Sequence, residues 1–149
     1  MKYRWLTVKR RLLRSREFEQ PFAELIRHVI PTPRTAFKDT EIVSLDIETT
    51  GLVAATADML SVGWVLIRNG KVDLSSARNY IVRPSGDVGS SASVHGLTDT
   101  MVGLGYDWTI VLRKIVEVLI GRVLLVHHAG LDKALLDRMC GQKYGSRLL

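Results

Sequence analysis

Two carboxylates lie two residues apart in an apolar stretch in the first third of the chain. Asp46 and Glu48 alternate with Leu45 and Ile47, and such alternation is typical of a strand, whose successive side chains point to opposite faces. Both acids would then share one face, about 7 Å apart. Like charges this close repel each other, and a divalent cation that prefers oxygen ligands would remove the penalty. The alternative is an edge strand whose polar face is simply hydrated.

A third acid, Asp132, follows the apolar run Val123-Leu124-Leu125-Val126. The run is typical of a parallel strand covered on both faces, and Asp132 then opens a predicted helix. A helix dipole also stabilises an acid in this position, so Asp132 alone is ambiguous. If the two strands are neighbours, Asp132 faces Asp46 and Glu48 at the rim of the sheet. Three converging carboxylates suit a two-ion site that cleaves a phosphodiester, one ion activating water and the other stabilising the departing oxygen.

The other elements must bring these two strands together. The signals Asn69-Gly70, typical of a hairpin, and Gly121, typical of a helix end, mark two of the boundaries. We predict strands at 42–47, 59–67, 71–82 and 123–126, helices at 99–103, 107–120 and 130–142, and a loop at 85–93. A right-handed helical crossover would place the last strand parallel to the first. The predicted fold class is therefore α/β, with a mixed sheet of three antiparallel strands plus one parallel strand and flanking helices.

The composition is that of an ordinary globular domain. A chain of 149 residues with 46% hydrophobic residues can bury a sizeable core. No apolar run approaches the roughly 20 residues that span a membrane, and the basic N-terminus lacks the apolar segment of a signal peptide. The single cysteine, Cys140, fits a reducing compartment. We expect a cytoplasmic protein that does not bind a membrane.

The net charge of +6 belongs to the first 40 residues, which hold 10 Lys or Arg and 4 Asp or Glu. Apolar residues at helical spacing predict a helix over residues 3–19 and a second one from Pro21. We therefore divide the chain into a basic helical arm at 1–38 and a larger domain at 39–149. Such a patch can attract a polyanion, although a solvated helix face explains it equally well. Because the aromatic residues of the arm need an apolar cover, docking on the domain is favoured over a membrane-surface helix.

Three motifs resemble those of a known family. The stretch from Ser44 to Leu52, Ser-Leu-Asp-Ile-Glu-Thr-Thr-Gly-Leu, is similar to the first motif of the DEDD superfamily of 3′–5′ exonucleases. The Val-His-Gly-Leu-Thr sequence at 94–98 resembles a loop of its DEDDh branch, and Val-His-His-Ala-Gly-Leu-Asp at 126–132 resembles its second motif. The motifs occur in family order, and the resemblance covers roughly residues 41–140. The epsilon subunit of bacterial DNA polymerase III is a similar member.

The resemblance implies a ribonuclease-H-like fold and the removal of nucleotides from the 3′ end of DNA or RNA with two Mg²⁺ or Mn²⁺ ions. Single-stranded DNA is the favoured substrate, a polymerase subunit is a candidate partner, and proofreading or repair are candidate roles. The catalytic and metal-binding residues would be Asp46, Glu48 and Asp132. The residues in contact with the terminal nucleotide would be Thr49, Thr50, Gly51, Leu52 and His95. Apart from the resemblance, His95 reads as a loop histidine that bonds to the backbone.

The sequence departs from the family pattern in two ways. His128 and Leu131 stand where many members have Asn and Phe, and the first change touches the substrate side. The family also places a general-base histidine five residues before a last metal-binding Asp, and no such pair follows Asp132 here. We therefore expect that the C-terminal part of the domain is missing and that this 149-residue form is inactive or weakly active. The alternatives are a catalytically incomplete nucleic-acid-binding module and a protein-interaction module.

Overall fold

The computed structural model describes residues 9–84 and 99–148, with Asp99 described by its backbone alone. The predicted loop at 85–93 and His95 lie outside the described residues. The helices are α1 (9–13), α2 (Phe22–Arg27), α3 (Asp99–Gly103), α4 (Trp108–Leu119) and α5 (Ala129–Tyr144), and the strands are β1 (Ile42–Thr49), β2 (Met59–Arg68), β3 (Lys71–Ile81) and β4 (Val123–Val126). None of the helices in the described part of the chain has the length and apolar character to span a membrane.

The four strands form one sheet in the order β3-β2-β1-β4. β1 pairs with β2 and β2 with β3 in antiparallel fashion, whereas β4 runs parallel to β1. Leu45 lies beside Val126 in the β1–β4 register, so β4 ends next to the residue before Asp46 and both strands run toward the same rim of the sheet. The mixed sheet of three antiparallel strands plus one parallel strand confirms the predicted fold class.

Two tight connections follow from glycine signals in the sequence. Asn69 and Gly70 join β2 to β3 with φ angles of 54° and 71°, the left-handed conformation that a two-residue hairpin turn requires. Gly121 has a φ of 74° directly after the C-cap of α4. A Cβ at Gly121 would lie 2.7 Å from Nε2 of His28, so the close approach of that side chain also demands glycine. Both predicted boundaries are confirmed.

One face of the sheet carries the hydrophobic core. Helices α2, α4 and α5 cover this face, and Phe22 of α2 stacks on Tyr144 of α5 with 4.8 Å between ring centroids. The largest buried core side chains include Val43, Val62, Val111, Leu112, Ile115, Leu135 and Leu136. Because α2 contributes Phe22, Leu25 and Ile26, part of the predicted N-terminal arm packs into the same core as the strands.

Two local predictions were wrong. The 123–126 strand was expected to be covered on both faces, but Val123 and Leu125 are 40% and 48% exposed. The described core helices cover the other face of the sheet, and β1 is the strand that pairs with β4. The first helix ends at residue 13 rather than near 19, in a turn closed by a bond from Arg16 N to the carbonyl of Leu13.

Candidate active site

Strand β1 places Asp46 and Glu48 on the face of the sheet opposite the core. Leu45 and Ile47 are buried, whereas Asp46 is exposed and Glu48 is half-buried, which is the alternation expected for this strand. The residues beside the two acids on β2 are small, Gly63 opposite Asp46 and Ser61 opposite Glu48. Small neighbours leave room above the two carboxylates.

Asp132 lies in the first turn of α5 and is only 3% exposed. Its Oδ2 accepts a hydrogen bond of 3.0 Å from the backbone N–H of His128, the N-cap residue of the helix. In return, Nδ1 of His128 accepts a bond of 3.2 Å from the N–H of Leu131. This reciprocal pair works like a capping box and satisfies two donors at the start of the helix. The His128 side chain, assigned to the substrate side from the sequence, is therefore engaged in capping the start of the helix.

The electrostatics of Asp132 connect it to β1. Burial raises the pKa of the Asp132 carboxyl above its ordinary value, and the nearby Asp46 carboxylate raises it further. The bond from the His128 N–H acts in the opposite direction. Neither Asp46 nor Asp132 forms an ion pair with a lysine or arginine of the described chain. The parallel β1–β4 pairing thus brings these two acids within electrostatic range of each other.

The structure does not assemble all three predicted acids into one group. Within residues 9–84 and 99–148, no three His, Cys, Asp or Glu side chains are close enough together to hold a metal ion. Asp46 and Asp132 are the two predicted acids that interact electrostatically. Glu48 lies two residues after Asp46 on the same face of β1. The three-carboxylate metal site therefore stays a prediction.

Four of the predicted substrate-contacting residues lie at the end of β1 and in the loop that joins it to β2: Thr49, Thr50, Gly51 and Leu52. The Thr49 hydroxyl donates to the carbonyl of Gly51 at 2.7 Å. Thr50 and Asp58 are joined by two bonds, from Thr50 N to the Asp58 carbonyl at 3.0 Å and from Asp58 N to Oγ1 of Thr50 at 2.9 Å. The loop projects Leu52, which is 87% exposed. Thus an apolar side chain stands in solvent directly after the strand that carries the acids.

Arg138 of α5 holds this loop in place, and sequence reasoning missed it. Its guanidinium donates to the carbonyl of Ala55 at 3.2 Å and to the carbonyl of Ala57. The partners are 83 and 81 residues away in the chain, so no local pattern in the sequence could have indicated these bonds. Through Arg138, the helix that carries Asp132 is tied to the loop that follows Asp46 and Glu48.

No protein-family model matches the chain. Solved structures of exonuclease I do match it. The enzyme from Methylocaldum szegediense aligns with a TM-score of 0.63 and 12% identity, over 70% of this chain and 24% of that one. The E. coli exonuclease I bound to a dT13 oligonucleotide aligns with a TM-score of 0.62 and 12% identity, over 70% and 24% of the two chains. The chain shares its fold with part of exonuclease I. The predicted ribonuclease-H-like fold class is thereby confirmed.

The sequence of the chain is also similar to part of a DNA polymerase. The chain is 28% identical over 95 residues to the PolC-type DNA polymerase III of Mycoplasmopsis pulmonis. The match covers 63% of this chain and 6% of the polymerase. The chain therefore spans about a quarter of the length of its structural neighbours and a small fraction of this relative.

Proposed function

We propose that the chain is a metal-dependent 3′–5′ exonuclease that hydrolyses phosphodiester bonds at the 3′ end of single-stranded DNA. The observation that carries the proposal is the placement of Asp46 on β1 and of Asp132 just after β4, the parallel strand that pairs with β1. The fold shared with exonuclease I and the similarity to a polymerase support the same reading. Proofreading or repair with a polymerase partner would be a fitting role.

Asp46, Glu48 and Asp132 are the proposed ligands for two Mg²⁺ or Mn²⁺ ions. Carboxylate oxygens are the donors that these hard cations prefer. The raised pKa of Asp132 fits such a site, because a cation would offset both its burial and its repulsion by Asp46. When bound, the ions would supply an activated water and stabilise the departing oxygen.

The β1–β2 loop is the proposed contact with the terminal nucleotide. A Cβ at Gly51 would meet no atom within 4 Å, and Leu52 is almost fully exposed, so the loop is open to a ligand. Leu52 would wedge against the last base, while the backbone and hydroxyls of Thr49 and Thr50 would face the sugar and phosphate. His95 would lie near the same nucleotide.

A general base is the part of this machinery that the 149 residues do not supply in the family pattern. The family pattern places this base on a histidine after the second motif, and no histidine follows Asp132 in the sequence. Loss of a positioned proton acceptor typically slows a reaction by about 10²–10⁴-fold. We therefore expect slow nucleotide release from this form. A catalytically incomplete module would instead bind a 3′ end without cleaving it.

The test compares release of label from the two ends of one oligonucleotide. Single-stranded DNA labelled at its 3′ nucleotide, or in a parallel sample at its 5′ nucleotide, is incubated with Mn²⁺ and a high concentration of the protein. Asp46→Asn removes one charge from the proposed site. Asp39→Asn is the matched control, because Asp39 is an exposed acid in a short 3₁₀ turn away from the sheet rim.

The proposal expects slow release of the 3′ label that depends on Mn²⁺. Asp46→Asn should abolish this release and Asp39→Asn should leave it unchanged. Equal release from both ends would contradict the polarity, and activity retained by Asp46→Asn would place the chemistry elsewhere. Binding of the oligonucleotide without any release would favour the catalytically incomplete alternative.

A further inference from the structure

A cavity opens at the same rim of the sheet, on the side of the core helices. It has a volume of about 330 Å³, at the lower end of the range for small-ligand pockets. Its polar lining includes Asp58, Arg83, Arg138 and Gln142, and its apolar lining includes Trp108 and Met139. We call this cavity the rim pocket. Asp46, Glu48 and Asp132 are not among its lining residues.

Two guanidinium groups line the rim pocket, together with the carboxylate of Asp58, and the Asp107 carboxylate lies near Arg83. Arg138 is held rigidly by its bonds to the loop carbonyls, and its Nε is buried without a hydrogen-bond partner among the described residues. Each terminal nitrogen of Arg138 carries two N–H groups, and each of these nitrogens donates to one loop carbonyl. Arg83 is exposed and touches the carbonyl of Gly105 at 3.5 Å, the limit of a hydrogen bond. Both groups suit a phosphate, which guanidinium binds with charge-assisted hydrogen bonds.

Trp108 supplies an aromatic surface beside these cations. The residue starts α4 and is half-buried, with its ring packed against the core, so the ring is held in a fixed orientation. A nucleobase stacks favourably on such a ring whatever its sequence. The Gln142 amide, also in the lining, can accept from or donate to the edge of a base. The Trp108 ring and the Gln142 amide match the face and the edge of a base, and the two guanidinium groups match one phosphate.

The position of the pocket connects it to the candidate active site. Met59, in its lining, pairs with Thr49 at the end of β1, and Val82, also in the lining, donates from its N–H to the carbonyl of Leu60 at 2.8 Å. Adjacent strands are about 4.8 Å apart, so the pocket begins roughly one strand away from the end of β1. Arg138 lines the pocket and also holds the β1–β2 loop.

We infer that the rim pocket binds one nucleoside monophosphate unit, with the base on Trp108 and the phosphate on Arg83 and Arg138. The inference rests on the proposed function, because it takes the ligand from nucleic acid. The same chemistry is offered by a free nucleotide released as product and by an internal nucleotide of a bound strand.

The experiment measures binding to the 149-residue chain in EDTA, so that no divalent ion loads the carboxylates. The probes are dTMP, thymidine, inorganic phosphate and the tetranucleotide dT4 with a 3′-phosphate, followed by tryptophan fluorescence and calorimetry. Arg83→Gln removes one cation from the pocket. Arg34→Gln is the control, because Arg34 is an exposed arginine in the connector before β1. Trp108→Phe keeps an aromatic ring and tests whether the fluorescence change arises at this residue.

Binding of dTMP tighter than that of thymidine or phosphate alone is the expected result. Arg83→Gln should weaken it about tenfold, the usual scale for one charge-assisted hydrogen bond, and Arg34→Gln should leave it unchanged. Tighter binding of dTMP than dT4 identifies the product as the ligand, and the reverse order identifies the strand. No binding of dTMP or dT4, or equal losses in the two arginine variants, overturns the inference. This assay excludes divalent ions and does not depend on catalysis. If dTMP or dT4 binds but no Mn²⁺-dependent release of the 3′ label is found, the nuclease proposal is contradicted and the inference about the rim pocket stands.

Discussion

Replacement of Asp132 by asparagine separates the stability of the fold from the proposed function. The native carboxyl is buried, and burial and Asp46 both raise its pKa. Its charged form is therefore disfavoured in the folded state. Asparagine removes the charge but keeps an oxygen that can accept the bond from His128 N. Without divalent ions at neutral pH, we expect Asp132→Asn to increase the free energy of unfolding by about 1 kcal/mol, the scale seen when a costly functional group is replaced.

The pH dependence follows from the direction of the shift. A carboxyl with a raised folded pKa holds its proton more tightly in the folded state, so its contribution to stability is full below the ordinary pKa of 3.8 and is lost as the pH rises through the folded pKa. The advantage of Asp132→Asn should therefore vanish near pH 3 and be complete at pH 7. Asp132→Ala is the control that also loses the helix cap, which is worth about 1 kcal/mol.

Added Mn²⁺ should reverse the order of the two proteins. At a concentration 100 times the dissociation constant, a bound ion stabilises the native chain by about 2.7 kcal/mol, and Asp132→Asn lacks a proposed ligand. Urea unfolding followed by circular dichroism, with and without Mn²⁺ at pH 3 and pH 7, gives all the required values. A native protein more stable than Asp132→Asn in EDTA at pH 7, or equal gains of both proteins from Mn²⁺, would refute the reasoning.

Two further predictions concern the ends of helices α4 and α5. His128→Ala should lower the free energy of unfolding by about 1 kcal/mol in urea unfolding, because the cap on Leu131 N is lost. His128→Asn should be nearly neutral, since asparagine is a favoured cap. Equal losses of stability in the two variants would show that the imidazole does something other than capping. Gly121→Ala should destabilise by more than about 1 kcal/mol, because alanine is strained at this φ and its Cβ would collide with His28. Gly141→Ala, at a helical glycine with open space around it, is the control and should not destabilise.

Local patterns in the sequence were sufficient for most of the elements. The alternation around Asp46 predicted both the strand and the face of its acids, because side-chain direction in a strand depends on the strand alone. The Asn69-Gly70 turn and the Gly121 helix end were equally local, since each depends on a backbone conformation that few residues adopt. The order of the elements then left few possible topologies for the sheet.

Several features that depend on residues distant in the sequence were not predictable. The run at β4 is apolar enough for a doubly covered strand, yet Val123 and Leu125 are partly exposed because helices cover the other face. The bonds of Arg138 to the β1–β2 loop join residues more than 80 positions apart. The capping role of His128 was missed because histidine is not among the favoured cap residues. The approach of Asp46 to Asp132 was expected from the topology, whereas the inclusion of Glu48 in a metal site stays a prediction.

The central claim is that Asp46, Glu48 and Asp132 together hold divalent ions. Its most direct test is titration of the 149-residue chain with Mn²⁺ while backbone amide signals are followed by NMR, since the ion broadens signals near it without any need for catalysis. The claim requires that the amides of these three residues broaden first and together, and that Asp46→Asn but not Asp39→Asn suppresses the effect. Broadening centred on other acids, or no preference for any part of the chain, would contradict it.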